Sequence, residues 1–217
     1  MVGLSALGVS TAAEGVDFAG ADWIWAVGAG GEKRSVAAEQ RFYRADFELP
    51  DAGRIETAEV IVTADNLYAL HVNGRSVGES GISNSSWQTA GRHDISELLV
   101  PGRNVFAVRA VNTLAGPAGL LVKAEVRLAD ARVITLTSDE SWRSIGTEEQ
   151  NWEQLAFEDG TWSPVRVVAP YGGAPWNTVT VPKGPAPPEG GSGAVRKKAA
   201  QLVREAARAG ATVVERR

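Results

Sequence analysis

Ala64-Asp65-Asn66-Leu67-Tyr68-Ala69-Leu70-His71-Val72-Asn73-Gly74 is the stretch whose reading decides the fold. Leu67 to Val72 is a strand-like run, and the Asn73-Gly74 that follows is the strongest short-range signal for a type I′ hairpin turn. Glu59-Val60-Ile61-Val62-Thr63 before it is another strand, so Asp65-Asn66 falls where one strand gives way to the next. Turns at strand ends are where β-sandwiches carry ligand sites. A carboxylate beside an amide at such a turn points to binding rather than catalysis.

Outward from this stretch the pattern past Asp17 stays predominantly β. Trp23-Ile24-Trp25 opens an apolar strand, and Gly28 to Lys33 reads as a flexible loop. Arg41 to Leu49 alternates Phe42, Arg44 and Asp46 against Tyr43, Ala45 and Phe47. Further strands are expected at about 57–64, 67–73, 75–79, 91–95, 104–111, 119–128, 132–137 and 164–168. In the clearest of them Leu120, Val122, Ala124, Val126 and Leu128 face inward, with Lys123, Glu125 and Arg127 outward. Eight or more short strands with turns between them predict an all-β chain built as a sandwich or jelly roll.

Helix is nearly absent before Gly190. Residues 181–193 are a linker by Pro and Gly content. Beyond them Val195, Ala199, Leu202, Val203 and Ala206 recur at helical spacing, on a helix that Gly210 should end. The chain thus divides into residues 1–15, a β domain at 16–180, a linker at 181–193 and a basic amphipathic helix at 194–217. That helix suits an anionic lipid surface. The preferred readings are the first element of a further domain, or a helix docking on something outside this chain.

Bulk properties exclude some functions. Net charge is −4. Seven basic residues against Glu205 and Glu215 beyond Ala194 give +5, which leaves −9 on residues 1–193. An acidic body argues against nucleic acid as a partner, and no apolar run reaches the ~18 residues of a membrane span. There are no cysteines, so neither disulfides nor thiolate metal sites form. Met1 to Ala13 is uncharged and small, ending in Ser10-Thr11-Ala12-Ala13. It reads either as the end of a truncated secretory signal or as a plain unstructured N-terminus.

A parity argument gathers the candidate residues. If successive strands run antiparallel, Asp65-Asn66, the Ser80 to Thr89 loop with Trp87, and Asn112 to Pro117 all fall at one end. Carboxylate, amide and backbone carbonyl oxygens suit a hard cation such as Ca²⁺. Asp65, Asn66, Asn112 and the Pro117 carbonyl would leave coordination positions for water or sugar hydroxyls. An exposed Trp87 would suit the apolar face of a pyranose. The competing reading is that Asp and Asn serve as ordinary turn residues and Trp87 caps the core. His71 and His93 read as packing or surface residues. Gly28-Ala29-Gly30-Gly31 matches no nucleotide loop, and Gly78-Glu79-Ser80-Gly81 is one residue short of a nucleophile elbow.

Several segments together resemble the N-terminal β-sandwich module of bacterial α-L-rhamnosidases and related multidomain secreted proteins. These are Trp23-Ile24-Trp25, residues 41–47, 64–78, 94–105 and 138–143, Phe157-Glu158-Asp159-Gly160-Thr161-Trp162 and Tyr171 to Trp176. The resemblance covers roughly residues 20–177. It implies a galactose-binding-like jelly roll that is not itself catalytic. Calcium-dependent rhamnose-binding members of that family use an Asp-Asn pair, a later Asn followed closely by a Pro carbonyl, and a stacking Trp. Asp65-Asn66, Asn112, Pro117 and Trp87 match them in order and approximate spacing. One departure is that the family's Asp-Gly turn appears here as Asp130-Ala131, which questions the local hairpin geometry.

The expectation is therefore a carbohydrate-binding module, accessory to a glycoside hydrolase and part of a secreted or periplasmic protein. Its ligand would be a rhamnose-like sugar or a plant or bacterial polysaccharide. Calcium would be held by Asp65, Asn66, Asn112 and Pro117, with a linked catalytic domain elsewhere. Neither nucleic acid nor membrane is an expected partner. The alternative is a spacer that packs against another domain and has no ligand of its own.

Overall fold

The computed structural model describes residues 15–27, 35–51, 53–186, 188 and 191–214. The expected leader at 1–15, except for Gly15, and the whole Gly28 to Lys33 loop lie outside these residues. The strands are β1 (Asp22–Ala26), β2 (Glu39–Leu49), β3 (Ile55–Asp65), β4 (Leu67–Val72), β5 (Arg75–Glu79) and β6 (Gly91–Asp94). They continue with β7 (Gly102–Asn112), β8 (Gly119–Leu128), β9 (Val133–Thr137), β10 (Arg143–Ile145) and β11 (Ser163–Pro170), and one helix, α1 (Ala194–Val214), follows. The short β10 is the strand that the sequence did not announce.

The strands follow one another in the order β5-β4-β7-β2-β10-β11-β1-β8-β3-β6, with β9 added to β8. All strand pairs are antiparallel. β11 pairs with β10 at one end and β1 along the rest, so two sheets join through it into a nearly closed sandwich. Asn73 and Gly74 both hold positive φ, 50° and 81°, in the β4–β5 turn that their sequence demanded.

The inward residues of both sheets form the main core, among them Trp25, Tyr43, Phe47, Val62, Leu70, Phe106, Val108 and Val122. β7 is buried continuously from Asn104 to Asn112, because its outer face is covered as well. Val105 and Ala107 lie under Trp152 and Trp162 of the 146–162 connection. Val111 lies under Val195 and Ala199 of α1. The first turns of the helix thus pack on this chain's own sandwich, where the sequence suggested a surface elsewhere. Gly210 does not end the helix, which continues to Val214.

The Pro- and Gly-rich stretch is tied down at both ends. Ala186 exchanges backbone hydrogen bonds with Arg92 and Asp94, and the Arg92 guanidinium donates to the Pro182 carbonyl at 3.0 Å and to Glu59 at 2.9 Å. Farther on, Gly191 N–H donates to Ser76 Oγ, and Ala194 N–H at the start of α1 donates to Glu79 Oε1 at 3.1 Å.

The β8–β9 hairpin forms despite its alanine. Ala131 takes φ 66°, and its N–H donates to the Leu128 carbonyl at 2.9 Å. A left-handed alanine costs about 1–2 kcal/mol, part of which glycine's extra unfolded-state freedom offsets. Ala131→Gly should therefore raise stability by about 1 kcal/mol in urea denaturation; a loss of stability would contradict this account.

Candidate functional site

β3 ends at Asp65, which sits opposite Gly119 at the start of β8. The Asp65–Asn66 peptide is cis, and Asn66 N–H donates to the Val111 carbonyl at 2.9 Å. That bond places Asn112, at the end of β7, beside the pair. The Gly116 that precedes Pro117 exchanges two backbone hydrogen bonds with Val36. The Ser80 to Thr89 loop joins through Thr63 Oγ1, which donates to the Trp87 carbonyl at 2.8 Å. The strand directions thus bring every candidate segment to one end of the sandwich.

The side chains form a tight network around Asn66. Its amide nitrogen donates to Asp65 Oδ1 at 2.7 Å and to the Asn84 carbonyl at 2.8 Å. Its amide oxygen accepts from Thr113 N–H at 2.8 Å and Thr113 Oγ1 at 2.7 Å. Thr113 Oγ1 also lies 2.8 Å from Asn84 Oδ1. Asp65 Oδ2 accepts from the Trp176 indole N–H at 2.8 Å. The Trp176 ring stacks on Trp23, with centroids 4.4 Å apart. Gly119 makes that stack possible: a Cβ there would come within 2.7 Å of the Trp23 ring and 3.0 Å of Trp176.

The remaining candidates behave less uniformly. Asn112 is buried, and its amide nitrogen donates to the carbonyls of Val36 and Ala37 at 3.1 and 2.9 Å. Its oxygen is therefore the atom left for a ligand. Pro117 is exposed. Trp87, expected to be exposed, is half-buried on a short 3-10 turn at Ser86–Gln88, packed against the outer cluster that contains Trp23 and Trp176. His71 is half-buried, edge-on to Trp152 with centroids 5.9 Å apart, and burial lowers its pKa. His93 lies within β6 rather than before a strand. Asn84, Thr113 and Trp176 belong to the network but did not stand out in the sequence. Asn84 and Thr113 were signalled only by proximity to Trp87 and Asn112, and Trp176 only by its place in the Tyr171 to Trp176 segment of the resemblance, which gave it no role at the site.

Burial raises the Asp65 carboxyl to about 6, against the downward pull of the Trp176 N–H. The folded protein then binds this proton more readily than the unfolded chain, whose Asp pKa is about 3.9. Ionised Asp65 consequently disfavours the fold, and stability from this group should rise as pH falls from about 6 toward 4. Asp65→Asn removes that segment of the profile. Urea denaturation in chelator at pH 4.5 and pH 7 checks this, and a wild-type-minus-variant difference equal at both would refute it.

The donor set fits a hard cation in kind. It offers one carboxylate, amide oxygens, a hydroxyl and backbone carbonyls, and among the described residues no basic side chain is bonded to the buried carboxylate. A single carboxylate makes for a low-charge site. Among the described residues no cluster of three or more His, Cys, Asp or Glu could hold a metal.

A nearly closed antiparallel sandwich with a polar cluster among the loops at one end defines the chain as a β-sandwich module. The known proteins that it is similar to make this more particular. No protein-family model matches the chain. An α-L-rhamnosidase of Streptomyces avermitilis is 32% identical over 163 residues, which are 74% of this chain and 15% of the rhamnosidase. The solved structure of α-L-rhamnosidase from that organism, complexed with L-rhamnose, superposes with a TM-score of 0.71 at 30% identity, covering 77% of this chain and 16% of that one. The apo lectin of Pleurotus ostreatus gives a TM-score of 0.67 at 27% identity, over 76% and 46%. A GH78 family rhamnosidase of Bacillus sp. GL1 gives 0.60 at 29%, over 75% and 20%. By sequence and by fold, then, this chain is similar to a β-sandwich module associated with α-L-rhamnosidases, and it spans about 15% of the curated relative's length.

Proposed function

We propose that this chain is a non-catalytic carbohydrate-binding module, accessory to a glycoside hydrolase domain in an exported protein. The observation that carries the proposal is the Asp65–Asn66–Asn84–Thr113 network, built around a buried carboxylate at the loop end of the sandwich. Such a set of fixed oxygens recognises hydroxyl groups. A rhamnose-like sugar is the ligand that the likeness to a structure solved with L-rhamnose favours. Asp65, Asn66, the Asn112 amide oxygen and the Pro117 carbonyl would hold Ca²⁺, which when bound supplies a fixed positive centre for vicinal hydroxyls. The chain's own residues do the rest. Thr113 and Asn84 orient the Asn66 amide, the Trp176 N–H holds the Asp65 carboxylate in place, and the half-buried Trp87 offers apolar area beside the network.

The alternative, a spacer without a ligand, has an observation of its own. Both donors and both lone pairs of the Asn66 amide are already satisfied within the protein, and the Asn112 amide nitrogen clips segment 36–37 to β7. Calorimetric titration of the full chain with L-rhamnose, in millimolar calcium and again in chelator, decides between them. Heat only with calcium supports the metal-bridged sugar site. No heat with rhamnose or with an array of other glycans in either condition leaves the spacer.

A further inference from the structure

The chain of paired strands runs from β5 to β6, so these two edges border the seam where the sandwich fails to close. At the seam's upper end, beneath the Ser80 to Thr89 loop, lies an open cleft of about 310 Å³. Glu79, Ser80 and Gly81 line one side and Thr89, Ala90 and Gly91 the other, with Ser85, Ser86 and Tyr68 completing it. Its volume is at the lower end of the roughly 300–1,000 Å³ usual for small-molecule sites.

The lining selects a ligand class. Among the described residues five hydroxyl-bearing side chains surround the cleft and no Lys or Arg does, so they offer an anion no counter-charge. Apolar side chains are nearly absent, which leaves a lipid or an apolar peptide nothing to pack on. Hydroxyls both donate and accept, as sugar hydroxyls do. The hydroxyls of Ser86 and Thr89 make no side-chain hydrogen bond among the described residues, whereas Ser80 Oγ is engaged with the Tyr68 N–H and the Gly81 carbonyl. Tyr68, a buried residue, contributes to the cleft wall.

Position links this cleft to the network described above. Ser85 and Ser86 stand between Asn84, which bonds Asn66 and Thr113, and Trp87. One face of a single loop thus serves the Asp65 network while the other walls the cleft. We infer that the cleft is a second sugar subsite, which takes the pyranose next to the one held at Asp65–Asn66 and makes the module a reader of a glycan chain end rather than of a single sugar. This inference rests on the carbohydrate reading above.

The test compares L-rhamnose with a rhamnose-terminated disaccharide by calorimetry in calcium, on the wild-type chain, Ser86→Ala and Thr89→Arg. The arginine fills the cleft from an exposed position whose backbone pairing with Thr180 is kept. Expected is a disaccharide affinity about tenfold above that of rhamnose in the wild type, reduced several-fold in Ser86→Ala and abolished as an advantage in Thr89→Arg. Rhamnose affinity should be equal in all three. Equal binding of both sugars by the wild type, or a disaccharide advantage intact in Thr89→Arg, overturns the second subsite and leaves the proposed function standing. Absence of heat with either sugar overturns both.

Discussion

Asp65→Ala should abolish measurable sugar binding, weakening affinity by at least about 100-fold, and should remove any rise in melting temperature on adding calcium. The alanine takes away the only carboxylate of the network and leaves two donors, the Trp176 indole N–H and one Asn66 amide hydrogen, without their acceptor. Unsatisfied buried donors cost about 1–3 kcal/mol, so this variant loses stability as well as binding. Asp65→Asn separates the two effects, because its amide oxygen can still accept from Trp176 while its negative charge is gone. In chelator at pH 7 it should lose less stability than Asp65→Ala, since only the Asn66 amide hydrogen is left without its acceptor, and it should still fail to bind. In the wild type, calcium at 100 times its Kd should add about 2.7 kcal/mol to unfolding. Undiminished rhamnose binding by Asp65→Asn would sink the metal-bridged site.

The second large effect concerns stability alone. Arg44 is fully buried on the outer face of β2, and its Nε donates to Asp159 at 2.9 Å. Its guanidinium also donates to the carbonyls of Trp152, Gln154 and Phe157 and lies 5.1 Å from the Phe157 ring centre. The 146–162 connection has no regular structure of its own, so its inward carbonyls need a donor from elsewhere. Arg44→Met keeps the volume but strands those carbonyls and the Asp159 carboxylate. It should cost about 3–5 kcal/mol, a fall in Tm of about 6–20 °C, with a red shift in tryptophan emission as Trp152 and Trp162 gain water. Arg44→Lys should recover only part of this, since one ammonium cannot fork to several acceptors. A methionine variant within 1 kcal/mol of wild type would show that the connection is held by its aromatic residues alone.

Arg44 also shows where reading the sequence reached its end. Alternation along β2 placed Phe42, Arg44 and Asp46 together on one face, and they do share it. Asp46 is exposed, whereas Phe42 and Arg44 are buried under residues 146–162. Period-2 patterning reports which residues share a face. It does not report what a distant segment lays over that face. The same limit applies to α1, whose apolar spacing was plain while its partner surface at Leu67 and Val111 was not.

At the candidate site the division is similar. Asp65-Asn66, the loop carrying Trp87, and Asn112 to Pro117 were placed at one end by strand direction alone, since antiparallel neighbours must return their turns to the same edge. Asn84 and Thr113 lay beside predicted residues, yet their contacts depend on how the loops close. Trp176 reaches Asp65 across 111 residues of sequence, and no local pattern encodes such a bond. The sequence by itself determined the strands other than β10, the Asn73-Gly74 turn and the end of the sandwich where the polar candidate residues lie, because propensity, alternation and turn geometry are local. Only the tertiary structure decided which faces are covered, that Arg44 is an internal anchor, and that Asp65 is desolvated enough to hold its proton to about pH 6. Burial and long-range hydrogen bonding arise from segments meeting in space, and they exist only once the chain has closed on itself.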